Sequence, residues 1–222
     1  MLFSTNRRSL TGPAILRPHG GPTDQWRFDW DPLAQYLVAK GYTFLAPNFR
    51  GSTGYGVAFE HANYDNWGVG DMQDCLHGAR YLRTLDWVRP DKIGIFGSSY
   101  GGYMVACCLA RDPDYLFACG VGKYGDADLY TSWAQCERET RLYTEMQMGH
   151  PSTNWQVYQA ASPCWKSTPS RNPFCCCTAC WMTSCRHKPQ KSGRKRCAAP
   201  VKPLSTRPTL GKRTVSSSTK RN

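Results

Sequence analysis

Lys92-Ile93-Gly94-Ile95-Phe96-Gly97-Ser98-Ser99-Tyr100-Gly101-Gly102-Tyr103-Met104 is the stretch that decides the fold. Its first five residues read as a buried strand, and the apolar residues Tyr103, Met104, Val105, Ala106 and Leu109 read as the helix that follows. Between them stands a G-x-S-x-G turn with one further glycine. A serine on so sharp a strand-to-helix turn is lifted clear of the sheet, and the small residues on either side let the backbone close around it. Ser99 is therefore the candidate nucleophile.

Upstream, Pro13-Ala14-Ile15-Leu16 reads as a short buried strand that runs into His19-Gly20-Gly21-Pro22. Taken alone this could be only a tight turn. Paired with the downstream elbow it has the form of a glycine-rich loop whose backbone N–H helps to hold an oxyanion, the second N–H coming from the residue after the nucleophile. Gly21 and Tyr100 are the candidate donors.

The intervening sequence alternates strand and helix patterns. Residues 42–47 read as a strand, preceded by a helix over 32–40 with Asp31 as its N-cap and Gly41 past its end. An amphipathic helix is expected over 71–85, its apolar stripe made by Met72, Cys75, Ala79, Tyr81 and Leu82. Residues 115–122 give one more buried strand. This order predicts the α/β class, a mostly parallel sheet covered by helices on both faces.

Three motifs, His19-Gly20-Gly21-Pro22, Asn48-Phe49-Arg50-Gly51-Ser52-Thr53-Gly54-Tyr55-Gly56 and the Ser99 elbow, resemble the catalytic domain of prolyl oligopeptidase-family serine peptidases, most closely the acylaminoacyl-peptidase and dipeptidyl-peptidase branch. The resemblance covers residues 13–163. It implies an α/β-hydrolase fold that hydrolyses short peptides or acyl-peptides through an acyl-enzyme on Ser99, with no cofactor and no metal. Where some relatives carry an oxyanion tyrosine this chain has His19, which leaves the Gly21 backbone as the donor. The family's N-terminal β-propeller has no counterpart in this sequence.

Composition divides the 222 residues in two. Residues 1–163 hold 14 Lys and Arg against all 16 acidic residues, a net charge of −2. Residues 164–222 hold the other 14 basic residues and no acid, a net charge of +14, together with seven of the 12 cysteines. The expected organisation is an incomplete peptidase domain over 1–163 and a basic, Cys-rich tail over 164–222 that is disordered. No run reaches the length of a membrane span, and the first residues lack the apolar core of a signal peptide. Cysteines 75, 107, 108, 119 and 136 read as reduced core residues of a cytoplasmic protein. Tyr55, Trp67 and Tyr103 read as core and pocket-wall aromatics, Arg50 as a structural brace, and Asp71 and Asp74 as acids favoured near a helix start.

A serine nucleophile needs a histidine to take its proton and a carboxylate to orient that histidine, and on this fold they follow the serine in the order Asp, His. After Ser99 the sequence offers only His150 and His187, and its last carboxylate is Glu145. Asp126 or Asp128 with His150 is formally available, but Asp126 is expected in a solvent-side loop and His150 in a turn.

The genetic code suggests a cause. Trp181-Met182-Thr183, read one base earlier, must encode Asp-Asp; Phe174-Cys175-Cys176-Cys177 must encode Leu-Leu-Leu; and Cys164-Trp165-Lys166 must encode Leu-Glu. These fall in the order of the family's aspartate-bearing strand and loop, and a histidine is permitted at Arg213/Thr214. Residues from about 164 onward are thus read as out of frame. Two other readings of the tail are a zinc site at Cys177, Cys180, Cys185 and His187 and a phosphate-binding patch over 191–196. A non-enzymatic binding protein with a basic, zinc-stabilised tail is the alternative to an impaired peptidase. Neither a nucleic-acid nor a membrane partner is expected.

Overall fold

The computed structural model describes residues 1–4 and 11–165 and the backbone of a strand at 174–176. Along these residues the chain runs β1 (Leu2–Phe3), β2 (Gly12–Leu16), α1 (Pro32–Ala39), β3 (Thr43–Leu45), α2 (Val57–His61), α3 (Gly70–Arg83), β4 (Val88–Ser98), α4 (Tyr100–Arg111), β5 (Cys119–Lys123), α5 (Leu129–Gln135), α6 (Arg138–Met148), α7 (Trp155–Ala161) and β6 (Phe174–Cys176). The strands form one sheet in the order β1-β3-β2-β4-β5-β6. Only the β1–β3 pair is antiparallel; the others run parallel.

Alternation along the central strands explains the two covered faces. Ala14, Leu16, Leu45, Ile93 and Ile95 join the larger core, which α3 and α4 complete with Leu76, Leu82, Met104 and Val105. Phe44 and Ala46 point the other way, into a smaller cluster under α1 with Ala34, Ile15 and Leu37. Helix α1 begins as its sequence dictates. The Asp31 side chain accepts from the Ala34 N–H at 2.9 Å, Pro32 occupies the first turn, and Gly41 leaves the helix at φ +89°.

Three expectations need correction. Tyr81 is half-exposed on the opposite side of α3, whereas Leu76 is buried within the stripe of Met72, Cys75, Ala79 and Leu82. Cys119 is exposed and Cys136 half-buried, so of the five cysteines read as core only Cys75, Cys107 and Cys108 are; all are free thiols. The strand expected over 115–122 begins later, at Cys119, because Asp112 turns the chain first, its side chain accepting from the Asp114 and Leu116 N–H groups.

No helix among the described residues is long and apolar enough to cross a membrane, and none of their side chains cluster as a metal site. The proposed zinc ligands, the 191–196 patch and the shifted-frame positions at Trp181/Met182 and Arg213/Thr214 lie outside the described residues.

Candidate active site

Strand β4 delivers Ser99 to the end of the sheet and α4 carries the chain away. At the junction Ser99 sits at φ 56°, ψ −126°, a conformation that residues other than glycine rarely adopt. Backbone groups close the turn. Ser99 N–H donates to the Lys123 carbonyl at 2.8 Å, and the Ser99 carbonyl accepts from Gly102 and Tyr103 at 2.8 and 3.0 Å. The glycines permit it by their lack of Cβ. A Cβ on Gly97 would lie 2.2 Å from the Gly101 carbonyl oxygen, one on Gly101 2.5 Å from that of Pro18, and one on Gly102 2.5 Å from that of Lys123. Ser99 itself remains exposed.

The His19 loop lies against this elbow. A Cβ on Gly20 would stand 3.8 Å from that of Ser99, and Gly21, at φ +115°, joins Ser99 and Tyr100 in lining one cavity. Tyr100 opens α4, so its N–H has no helical acceptor. The N–H of Gly21 likewise donates to no acceptor among the described residues.

The Asn48 motif braces both halves. Asn48 accepts from the Trp26 N–H at 2.7 Å and donates to the Trp26 carbonyl at 3.0 Å. Phe49 stacks on the His19 ring with centroids 4.2 Å apart, and the Ser52 hydroxyl donates to the Phe49 carbonyl while lying 2.7 Å from His19 Nε2. His19 Nδ1 donates to the Gly20 carbonyl at 2.6 Å. Burial pushes the imidazole below its ordinary pKa, against the Gly20 carbonyl and Asp24, which favour its charged form. His19 is therefore a loop brace, and it contacts no atom of the elbow serine's hydroxyl. Arg50 behaves as expected: its backbone N–H and Nε donate to one Asp74 oxygen at 2.9 Å and Nη2 to the other at 2.8 Å.

Beneath the elbow the Tyr100 hydroxyl donates to Asp71, whose other oxygen accepts from the Met72 N–H at 2.7 Å; Asn63 Nδ2 donates to the same hydroxyl at 3.1 Å. Asp71 has no solvent exposure, and burial raises its pKa to about 6 against the opposing hydrogen bonds from Tyr100 and Met72. Its place at the start of α3 is as expected from sequence; its engagement with Tyr100, the residue after Ser99, is not. A single sequence carries no sign of that engagement, because 29 residues separate the pair.

The cavity at Ser99 encloses about 150 Å³. Trp67, Tyr100, Tyr103, Tyr124, Trp133 and Tyr143 wall it, with Asp126 and Ser132 as polar members. Trp67 and Tyr103 thus meet the expectation of pocket-wall aromatics. Tyr55 does not: it is 58% exposed and accepts from Asn48 away from the cavity. Asp126 also departs from expectation. It faces this cavity, half-buried, with the Ser132 hydroxyl donating to it at 2.9 Å, and burial raises its pKa. Asp128 is occupied as the cap of α5, accepting from Tyr130 N–H and the Thr131 hydroxyl. His150 lies in a separate cavity, its Nδ1 2.7 Å from the Ser152 hydroxyl. Ser99, Gly21 and Tyr100 therefore converge, whereas Asp126, Asp128 and His150 do not form an acid–base pair. A larger cavity of about 620 Å³ at Met1, Arg17, Trp26 and Asp31 contains none of these groups.

A parallel sheet with a strained serine between a central strand and its helix, under a glycine loop, defines an α/β-hydrolase. The solved structures agree. Acylaminoacyl peptidase of Pyrococcus horikoshii superposes with a TM-score of 0.70 at 28% identity over 79% of this chain and 28% of its own. A puromycin hydrolase gives 0.69 at 26% identity over 76% and 25%. Among sequences, dipeptidyl aminopeptidase BIII of Pseudoxanthomonas mexicana is 35% identical over 119 residues, 54% of this chain and 17% of that protein. Dipeptidyl peptidase family member 6 of Caenorhabditis elegans is 33% identical over 115 residues, 52% and 15%. The chain thus spans less than a fifth of the length of these sequence relatives. The pattern of the prolyl oligopeptidase family matches residues 26–181, and the chain belongs to that family. The match continues beyond Pro163, where the three-motif resemblance ends, and takes in β6.

Proposed function

We propose that this chain carries the nucleophile and oxyanion half of a serine peptidase site for short peptides, of the dipeptidyl-peptidase kind. The observation that carries this reading is the exposed Ser99 at a strained elbow, opening on a cavity that it shares with the Gly21 and Tyr100 backbone. Ser99 Oγ attacks the scissile carbonyl carbon, and the carbonyl π pair moves onto oxygen. The N–H groups of Gly21 and Tyr100 stabilise that oxyanion without having to reorganise. The tetrahedral adduct collapses to an ester on Ser99 as the amine leaves. The small, ring-walled cavity suits a short apolar side chain next to the cleaved bond.

Attack also requires that the Ser99 proton be taken up and later given to the leaving amine. Among the described residues, neither His150 nor Asp126 supplies such a relay: His150 is bonded to Ser152, and Asp126 to Ser132. Loss of the histidine alone costs on the order of a million-fold in turnover in a comparable triad. We read the chain as strongly impaired, and the residues from about 164 onward as out of frame. That reading is supported by the forced Leu-Glu, Leu-Leu-Leu and Asp-Asp in the shifted frame.

The purified chain is expected to release no arylamine from dipeptidyl-arylamides beyond a Ser99→Ala control. Turnover that Ser99→Ala abolishes would overturn the impairment and keep the peptidase reading. The encoding nucleotides test the frame: early stops in the shifted frame, or no Leu-Asp-Asp there, would end that explanation.

A further inference from the structure

Outside the Ser99 cavity, helices α5 and α7 and the turn between α6 and α7 enclose a second space of about 350 Å³, lined by Tyr130, Trp133, His150, Pro151, Ser152 and Trp155. Tyr130 stacks on Trp133, with centroids 6.0 Å apart and planes 24° from parallel, and the remaining ring pairs stand nearly perpendicular. Trp155 meets Tyr130 at 84° with centroids 5.1 Å apart, and His150 meets Trp133 at 84° and 5.1 Å. Trp165 continues the row, at 89° to Trp155 and 5.7 Å away. Tyr130, Trp155 and Trp165 remain 41%, 37% and 46% exposed. Large rings left open to water around a concave space mark a binding surface more often than a core.

The chemistry of the lining selects the ligand. No carboxylate, lysine or arginine faces the space, and its polar side chains, His150 and Ser152, are bonded to each other at 2.7 Å. A primary ammonium, with three N–H donors to satisfy, would lose its water there without replacement. A cation without N–H donors would not, and ring faces attract it through their quadrupoles. Residues 126–165 carry five carboxylates against two guanidiniums, so the surrounding field favours a cation. Trp133 already serves this way. The Arg141 guanidinium lies 5.3 Å over its ring, and its Nε1–H donates to Glu145 at 2.9 Å, which makes the indole more electron-rich. With that face taken, and one face of Tyr130 stacked on Trp133, the ligand is left the exposed ring surfaces of Tyr130 and Trp155.

We propose that the Tyr130–Trp133–Trp155 cavity is an aromatic cage for a quaternary or fully methylated ammonium group. The site does not depend on the peptidase reading of Ser99.

Choline and its uncharged carbon isostere, 3,3-dimethyl-1-butanol, are the probes, titrated into the whole chain by calorimetry and followed by ligand-observed saturation-transfer NMR. Cation–π stabilisation of this kind predicts that choline binds about 3- to 30-fold more tightly than the isostere. Trp155→Leu, which retains apolar bulk but has no ring face, should remove that preference, and so should Tyr130→Leu if the first variant does not fold. Ser99→Ala should leave it unchanged. Equal binding of the two probes would reduce the site to an apolar shelf and overturn the proposal, as would no binding of choline. Self-association that Trp155→Leu abolishes, seen by sedimentation, would make the occupant a second copy of the chain and overturn it too.

Discussion

The elbow at Ser99 and the stretch from Asp126 to His150 are built in opposite ways. The elbow is made of backbone against backbone: Gly97 on Gly101, Gly101 on Pro18, Gly102 on Lys123, with no room for a single Cβ. The second stretch is made of side chains that satisfy one another, Asp126 with Ser132, Asp128 with Thr131, His150 with Ser152, and Trp133 with Glu145. The conformation of Ser99 is thus fixed by local sterics, whereas the pairings of Asp126, Asp128 and His150 depend on where distant side chains fall.

The largest test of that contrast is steric. Gly101→Ala should lower stability by more than about 3 kcal/mol in urea denaturation, because backbone on the facing segment cannot yield. Gly149→Ala, at the end of α6, meets the Asn154 side chain and a φ of +69°, and should cost only about 1–2 kcal/mol. Similar losses at the two sites would break the comparison.

Next comes the carboxyl beneath the elbow. The folded state raises the Asp71 pKa to about 6, above an unfolded value near 3.8. Between those two values the native state binds the extra proton, so this group makes stability fall as pH rises from about 4 to 6, and the penalty is constant above that window. Asp71→Asn keeps an acceptor for the Tyr100 hydroxyl and removes the titration. Its stability relative to the parent should improve by about 3 kcal/mol across pH 4 to 6. A difference that does not vary with pH would show that Asp71 ionises normally.

Smaller effects sharpen the picture. Ser99→Gly should raise stability by about 1 kcal/mol, relieving the φ of 56° that a serine must tolerate there. A loss instead would show that the turn is not strained. Arg50→Ala should cost about 0.5–1 kcal/mol, because its two-pronged contact with Asp74 is partly exposed and screened. Arg80→Ala, at the more exposed Asp114 pair, should cost less than about 0.5 kcal/mol. Thermal denaturation of both variants ranks them.

The sequence made legible what is set by near neighbours. The elbow, the Asp31 cap and the strand–helix alternation all follow from residues a few positions apart. The work of Asn48, Phe49 and Ser52 was not legible in physical terms, since their partners Trp26 and His19 come from another loop. Tyr81 and Leu76 show another limit. Leu76 lies four residues after Met72 and three before Ala79, on the buried face, whereas Tyr81 falls on the opposite side of α3 and stays wet; the misplacement comes from reading Tyr81 as apolar rather than from the helical spacing. The loop context of Asp126 points to solvent, whereas the fold of α5 and α6 over that loop encloses it. Sequence spacing cannot foresee how a later helix folds back.

The glycine contacts of α4 also bear on how the molecule opens. A helix pressed onto neighbouring backbone at its first turn has no side chain to swing aside, so it cannot detach from β4 and β5 without dismantling the sheet. Its amides should exchange with deuterium only through global unfolding, whereas those of α5 to α7 should exchange through smaller, more frequent openings. Ser99 would then sit in the slowest-breathing part of the described residues, and the aromatic cavity of α5 to α7 in the fastest.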